Sequence, residues 1–127
     1  MSLEDRVAEL EKCLKKFEEV LNIEKNDIVR DSAIKRFELC FELSWKTLKD
    51  FLNKEGLFCR SPRSCVKEAF SIGLIENEEV WLDILEDRNL SIHTYNEELA
   101  EELYFRLKNH FVAMSNLLKE IKKRLNE

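Results

Sequence analysis

The sequence has few of the residues that interrupt regular secondary structure, with two glycines and one proline in 127 residues. This scarcity argues against a sheet protein built from many hairpins and favours helices joined by short connections. No apolar run approaches the length of a membrane span. The N-terminal segment MSLEDRVAELEKCLKKF is amphipathic and acidic, unlike a signal peptide. We therefore expect a cytoplasmic protein that does not contact a membrane.

Positive net charge and metal-ligand spacing are also missing. The formal net charge of −5 disfavours a protein that coats nucleic acid, but it permits RNA binding at one local site. With two histidines and no C-x-x-C pair, neither a metal site nor a cofactor is expected. All four cysteines are expected to be reduced thiols, although Cys59 and Cys65 flank a loop and could pair if oxidised.

Helical periodicity is the dominant pattern that is present. The first helix is predicted to follow an N-cap at Ser2, and the second to run from about 26 or 27 to about 55. A third starts at Pro62, a fourth near Asn77 and a fifth near Asn96. The chain 1–127 is thus predicted to be one all-α domain, a bundle of about five helices. The second helix is so rich in apolar residues that we expect it to be buried on two sides.

The fourth helix has an arginine within its apolar pattern. Trp81, Leu85, Arg88 and Ile92 are spaced by 4, 3 and 4 residues, which predicts that they share one face. A buried arginine is costly unless it is paired or faces a cleft. Arg88 is therefore either part of a structural ion pair or an anion-binding group at a pocket or subunit interface.

The two histidines lead to different predictions. His93 follows Arg88 by five residues, so the two side chains diverge by about 140° on a regular helix. The weak helix formers between Asn89 and Asn96 predict a helix end and a short turn, which would place Tyr95 beside His93. A lone histidine at such a junction is more often a hydrogen-bonding or capping residue than a catalyst. His110, on the apolar stripe of the fifth helix, is predicted to be a core or interface histidine.

A basic cluster lies at the start of the third helix, where Arg60, Arg63 and Lys67 occur close together. Cations are disfavoured at a helix N-terminus. The cluster is either a solvated turn or a small phosphate-binding corner formed by backbone N–H groups and arginines.

Residues 88–95, RNLSIHTY, match the R-x4-H-x-Y motif of HEPN proteins, and the chain resembles the HepT group of nucleotidyltransferase substrate-binding proteins. Residues 30–52 are similar to the long second helix of that family, with its F-E-x-x-x-E-L-x-W-K pattern. The segments SPRSCVKEAFSIGLI and WLDILEDRNLSIHTY also resemble family segments, in the right order.

This resemblance implies an up-and-down helical bundle that dimerises and works with a minimal nucleotidyltransferase. In one account the subunit helps to bind the substrate of that partner. In the other it is the toxin of a toxin–antitoxin pair, a metal-independent ribonuclease that acts through Arg88 and His93, supported by Asn89. The partner then acts as antitoxin by adding AMP to Tyr95. A dimeric scaffold, in which Arg88 and His93 only stabilise an interface, is a third possibility.

The ribonuclease account makes a geometric demand. Attack by a ribose 2′-hydroxyl requires a base, an acid and positive charge beside the phosphorane. One chain supplies one His93 and one Arg88, whereas a two-fold dimer would supply two of each across one cleft.

Overall fold

The computed structural model describes all 127 residues, which form five α-helices and one short 3₁₀-helix. The α-helices are α1 (Leu3–Leu21), α2 (Asp27–Lys54), α3 (Pro62–Ser71), α4 (Glu78–Leu90) and α5 (Glu97–Leu125). The 3₁₀-helix, Ser91–His93, lies between α4 and α5. The predicted all-α bundle is confirmed. No helix has both the length and the apolar character needed to cross a bilayer.

Local capping interactions explain where the helices begin. Each α-helix follows a serine or asparagine whose side chain accepts a hydrogen bond from the backbone N–H three residues later. These N-caps are Ser2, Asn26, Ser61, Asn77 and Asn96. All five predicted starts are confirmed.

The order of the helices in the bundle can be followed from ion pairs between their ends. Arg6 of α1 pairs with Asp50 of α2 at 2.9 Å, so the start of α1 lies beside the end of α2 and the two helices are antiparallel. Arg30 of α2 pairs with Glu97 of α5 at 2.8 Å, so these two helices start together and are parallel. The helix α2 contacts all four other α-helices, which confirms that it is buried on more than one side.

The inward face of α4 differs from the predicted one. Trp81, Ile84 and Asp87 are buried, whereas Arg88 and Ile92 are exposed. The prediction that Arg88 shares a buried stripe with Trp81 was therefore wrong. The inward face is rotated by about one residue because α5 provides hydrogen-bond partners that allow a carboxylate to be buried there.

The cysteines form two different kinds of pair. Cys59 and Cys65 are joined by a disulfide, with their Cα atoms 5.1 Å apart, because the first turn of α3 brings Cys65 back to the segment after α2. The expectation of four reduced thiols was wrong for this pair. Cys13 and Cys40 are free and buried between α1 and α2.

Candidate functional site

The chain breaks its helical course between α4 and α5, where the motif residues lie. The helix α4 ends at Leu90, and the 3₁₀-helix Ser91–His93 follows it. The Thr94 hydroxyl donates a hydrogen bond to the carbonyl oxygen of Ser91 at 2.9 Å. The backbone N–H of Asn96 donates to the carbonyl oxygen of His93 at 3.0 Å. The predicted break between Arg88 and His93 is confirmed, and the turn is closed by its own hydrogen bonds.

A glutamate of α2 anchors this turn. The Ser91 side chain is buried, and its Oγ lies 2.8 Å from Glu38 Oε2 and 2.7 Å from the carbonyl oxygen of Arg88. The turn is therefore fixed to the central helix of the bundle and not only to its neighbours in sequence.

A second glutamate of α2 holds Arg88. Arg88 Nη2 donates to Glu42 Oε1 at 2.7 Å, and the guanidinium carbon lies 5.6 Å from the centre of the Phe41 ring. Glu42 is itself fixed, because Trp45 Nε1 donates to its other carboxylate oxygen at 3.2 Å. The Arg88 side chain is nevertheless 47% exposed. It is an oriented cation that an anion in solution can reach.

His93 and Tyr95 form an exposed pair on the turn that follows α4. His93 Nδ1 lies 3.3 Å from the Tyr95 hydroxyl, and the two rings meet edge to face. Tyr95 is 82% exposed. Arg88 and His93 have different hydrogen-bond partners, so their convergence on one substrate stays a prediction. Asn89 is exposed next to Arg88, and its supporting role also stays a prediction.

The basic cluster at the start of α3 is solvent-facing. Arg60, Arg63 and Lys67 are all exposed. The Ser61 hydroxyl already accepts a hydrogen bond from the backbone N–H of Ser64, which occupies one of the free donors of the helix start. Phosphate binding by this cluster stays a prediction.

A polar network, which the sequence did not reveal, is centred on buried Asp87, the residue before Arg88. The two Asp87 oxygens accept hydrogen bonds from Arg106 Nη2 and Nε, each at 2.8 Å, and Oδ2 also lies 2.6 Å from His110 Nε2. Burial alone would raise the pKa of Asp87, but the hydrogen bonds from His110 and Arg106 outweigh it and lower that pKa. The carboxylate is therefore ionised at neutral pH. The prediction that His110 is a core histidine is confirmed.

A buried arginine anchors the other end of the motif segment. Arg30 is 2% exposed, and it pairs with Glu97 at 2.8 Å, with Glu101 at 3.0 Å and with Asp31 at 3.0 Å. The hydrogen bond with Glu97 is the main reason that the pKa of Arg30 is raised above its ordinary value. Because Glu97 begins α5 just after Tyr95, this cluster fixes the chain where it leaves the site.

One sequence signal could have indicated the glutamate contacts. Glu38, Glu42 and Trp45 are spaced by 4 and 3 residues, which places them on one face of α2. That spacing shows that the three side chains share a face of α2, but it does not show which other helix this face contacts.

Fold and site together define an all-α bundle with an R-x4-H-x-Y segment at the break between its last two helices. The chain belongs to the family described as nucleotidyltransferase substrate binding protein like, whose model matches residues 5–126.

The chain is also similar to a named protein and to two solved structures. The chain is 30% identical over 106 residues to a Haemophilus influenzae protein described as a probable ribonuclease HepT, covering 76% of this chain and 73% of that protein. A crystal structure from Thermus thermophilus is 37% identical, with a TM-score of 0.84, and covers 88% of this chain and 98% of its own. A Haemophilus influenzae structure, described as the fold of a substrate binding domain of a nucleotidyltransferase, is 24% identical with a TM-score of 0.71. It covers 94% of this chain and 96% of its own, and at that identity it supports the fold alone.

Proposed function

We propose that this protein is a HepT-like toxin, a metal-independent ribonuclease that a minimal nucleotidyltransferase partner neutralises. The observation that carries the proposal is that Arg88 is exposed at the end of α4, while His93 and Tyr95 are exposed on the ordered turn that follows this helix. The relative described as a probable ribonuclease supports the same activity.

The chemistry proposed for this site is transesterification within RNA. His93 takes the proton from a ribose 2′-hydroxyl, and the freed oxygen forms a bond to the neighbouring phosphorus. The bond from phosphorus to the 5′-oxygen of the next nucleotide breaks, and that oxygen leaves with a proton from an acid. Arg88 stabilises the extra negative charge on the phosphorane, because a guanidinium stays charged and can donate two hydrogen bonds to phosphate.

A second copy of the chain would supply the missing acid. Ile92 is 70% exposed and Tyr95 is 82% exposed, so apolar surface lies next to His93 on the single chain. A two-fold homodimer that covers this surface would place two His93 side chains across one cleft, one as the base and the other as the acid.

Tyr95 is the proposed site of neutralisation. Its hydroxyl oxygen attacks the α-phosphorus of ATP in the partner's active site, the bond to pyrophosphate breaks, and the hydroxyl proton is lost to a base. The resulting phosphodiester places a negative charge beside His93. RNA phosphate would then be repelled, and the adenylyl group would also block access to the turn.

The alternative function is a non-catalytic substrate-binding subunit of a two-component nucleotidyltransferase. The family description favours it. In this case Arg88 and His93 would bind and orient the substrate for the partner.

The decisive experiment is RNA cleavage by the purified chain in EDTA, without its partner. We expect cleavage by the wild type and a loss of at least about 100-fold in His93→Ala. Lys108→Ala, an exposed substitution on α5, is the control and is expected to cleave like the wild type. Equal cleavage by His93→Ala and the wild type would exclude the ribonuclease proposal.

Neutralisation is tested by incubating the chain with its partner and ATP and measuring its mass. We expect an increase of one adenylyl group in the wild type and in Tyr104→Phe, but none in Tyr95→Phe. Because the chain has only these two tyrosines, the pair of variants identifies the modified residue. An adduct that persists in Tyr95→Phe would contradict this part of the proposal.

A further inference from the structure

Asp87 places a buried carboxylate between α4 and α5, where it is held by buried His110 and by Arg106, whose side chain is 42% exposed. Asp87, which directly precedes Arg88, is 4% exposed and accepts three hydrogen bonds, two from Arg106 and one from His110. Removing a carboxylate from water is costly, and an apolar residue of similar size is often as stable or more stable at such a position. We therefore ask whether the network serves to fix the orientation of the last turn of α4.

The network controls the rotation of the last turn of α4. Successive residues on a helix point about 100° apart. Asp87 accordingly faces α5, while Arg88 faces Glu42 on α2. A rotation of this turn that displaced Arg88 would also pull the Asp87 carboxylate from its three donors. A leucine at this position could slide within the interface, whereas a bidentate arginine contact has one favoured geometry.

His110 connects this arrangement to the core. Its ring packs against Phe37 of α2, with ring centres 5.4 Å apart. Because the Asp87 carboxylate can only accept, His110 Nε2 carries the hydrogen of their 2.6 Å bond. The tautomer and the ring plane are thereby fixed. Because His110 also packs against α2, the position of Asp87 is set by α2 as well as by α5.

We propose that Asp87 is a positioning residue, which acts with Arg106 and His110 to aim the Arg88 guanidinium at the substrate phosphate. This inference rests on the proposed ribonuclease function for its catalytic consequence. Its structural content, the orientation of Arg88, can be measured separately.

The test compares Asp87→Asn with Asp83→Asn. Both substitutions remove one carboxylate from α4 and both positions line the same cleft between α4 and α5, but Asp83 is exposed. An asparagine at position 87 keeps the size of the side chain, yet its amide group meets a donor from Arg106 or His110 and cannot accept all three bonds. We expect kcat to fall by roughly 10- to 100-fold in Asp87→Asn, as expected for a misplaced catalytic group, with KM within about twofold. Asp83→Asn is expected to retain wild-type values.

The orientation of Arg88 is measured by the nitrogen–proton NMR signals of its guanidinium. In the wild type and in Asp83→Asn, we expect separate, slowly rotating signals because Arg88 is held by Glu42. In Asp87→Asn the separate Arg88 signals should merge into averaged ones, because the guanidinium is free to rotate. The signals of Arg6, which is paired with Asp50, should stay unchanged. Should Asp87→Asn fail to fold, Arg106→Gln, which removes two of the three hydrogen bonds from a half-exposed position, takes its place.

The results separate this inference from the proposed function. If the wild type does not cleave RNA but the Arg88 signals average in Asp87→Asn alone, the ribonuclease proposal fails and the positioning role stands. If a folded Asp87→Asn keeps both wild-type kcat and wild-type Arg88 signals, the positioning role is overturned.

Discussion

Arg88 and Glu42 form the one ion pair that joins the R-x4-H-x-Y segment directly to α2, with 2.7 Å between Nη2 and Oε1. The pair has two opposing effects on a phosphate ligand. Glu42 orients the guanidinium, and it also places a negative charge where the ligand must bind. The side chains are 47% and 37% exposed, so solvent weakens both effects.

The charge effect can be measured by RNA binding without cleavage. In a His93→Ala background, we expect Glu42→Gln to bind single-stranded RNA about two- to fivefold more tightly, because an exposed pair of this kind is worth at most about 1 kcal/mol. Glu9→Gln, an exposed substitution on α1, changes the net charge equally and should leave the affinity unchanged. Equal affinities for the two Gln variants would show that Glu42 does not compete with RNA.

The proposed homodimer makes Ile92 a critical surface residue. Ile92→Asp should shift the protein from dimer to monomer in analytical ultracentrifugation, with the dissociation constant raised by about tenfold or more, because a charge would be buried in an apolar contact. Phe58→Asp tests a side chain that is 80% exposed on the connection between α2 and α3, and it should stay dimeric. A wild type that is monomeric at all concentrations would contradict the two-His93 mechanism.

The helix starts could be predicted because their causes are local. The hydroxyl of Ser61 or the amide of Asn96 finds its partner three residues along the chain, so a short window of sequence contains the whole interaction. The break after Leu90 could be predicted for the same reason. The break follows from a run of weak helix formers, which lose little stabilising free energy when they leave the helix.

The face of α4 could not be predicted because its cause is distant in the sequence. A pattern of apolar and polar residues assigns a carboxylate such as Asp87 to the surface. Its burial depends on Arg106 and His110, which lie 19 and 23 residues further along the chain on another helix. The roles of Glu38 and Glu42 were missed for the same reason, although both residues belong to the pattern by which the second helix resembles its family.

Arg30 should contribute more to stability than a surface ion pair does. In urea unfolding, we expect Arg30→Met to lower the free energy of unfolding by about 1–3 kcal/mol, less than for a fully buried pair because its acidic partners reach solvent. Arg6→Met, which breaks the half-exposed pair with Asp50, should cost about 0–1 kcal/mol. A loss for Arg30→Met no larger than for Arg6→Met would refute this ranking.

The pKa values of the two buried thiols should differ widely. Cys40 Sγ donates to Cys13 Sγ at 3.0 Å. This hydrogen bond lowers the pKa of Cys13 against the opposing effect of burial, while the pKa of Cys40 is raised. Thiolate absorbance should therefore show a first midpoint below the ordinary range of a cysteine thiol in the wild type. In Cys40→Ala, where burial is no longer offset by that hydrogen bond, the midpoint should move to higher pH. An unchanged midpoint in Cys40→Ala would contradict this assignment.

The stability of the bundle at low pH should depend on Asp87. Burial acts to raise the pKa of Asp87, but the hydrogen bonds from His110 and Arg106 outweigh it, so the pKa is lowered in the folded protein. A carboxyl group with a lowered pKa stabilises the fold fully above its unfolded pKa of about 3.9, and this contribution is lost as the pH falls through the folded pKa. The difference in unfolding free energy between the wild type and Asp87→Asn should therefore shrink as the pH is lowered from about 6 to about 3. For Asp83→Asn, which removes an exposed carboxylate from the same helix, the difference from the wild type should stay nearly constant over that range. If the difference in unfolding free energy between Asp87→Asn and the wild type is also constant, the ionised carboxylate does not stabilise the α4–α5 interface.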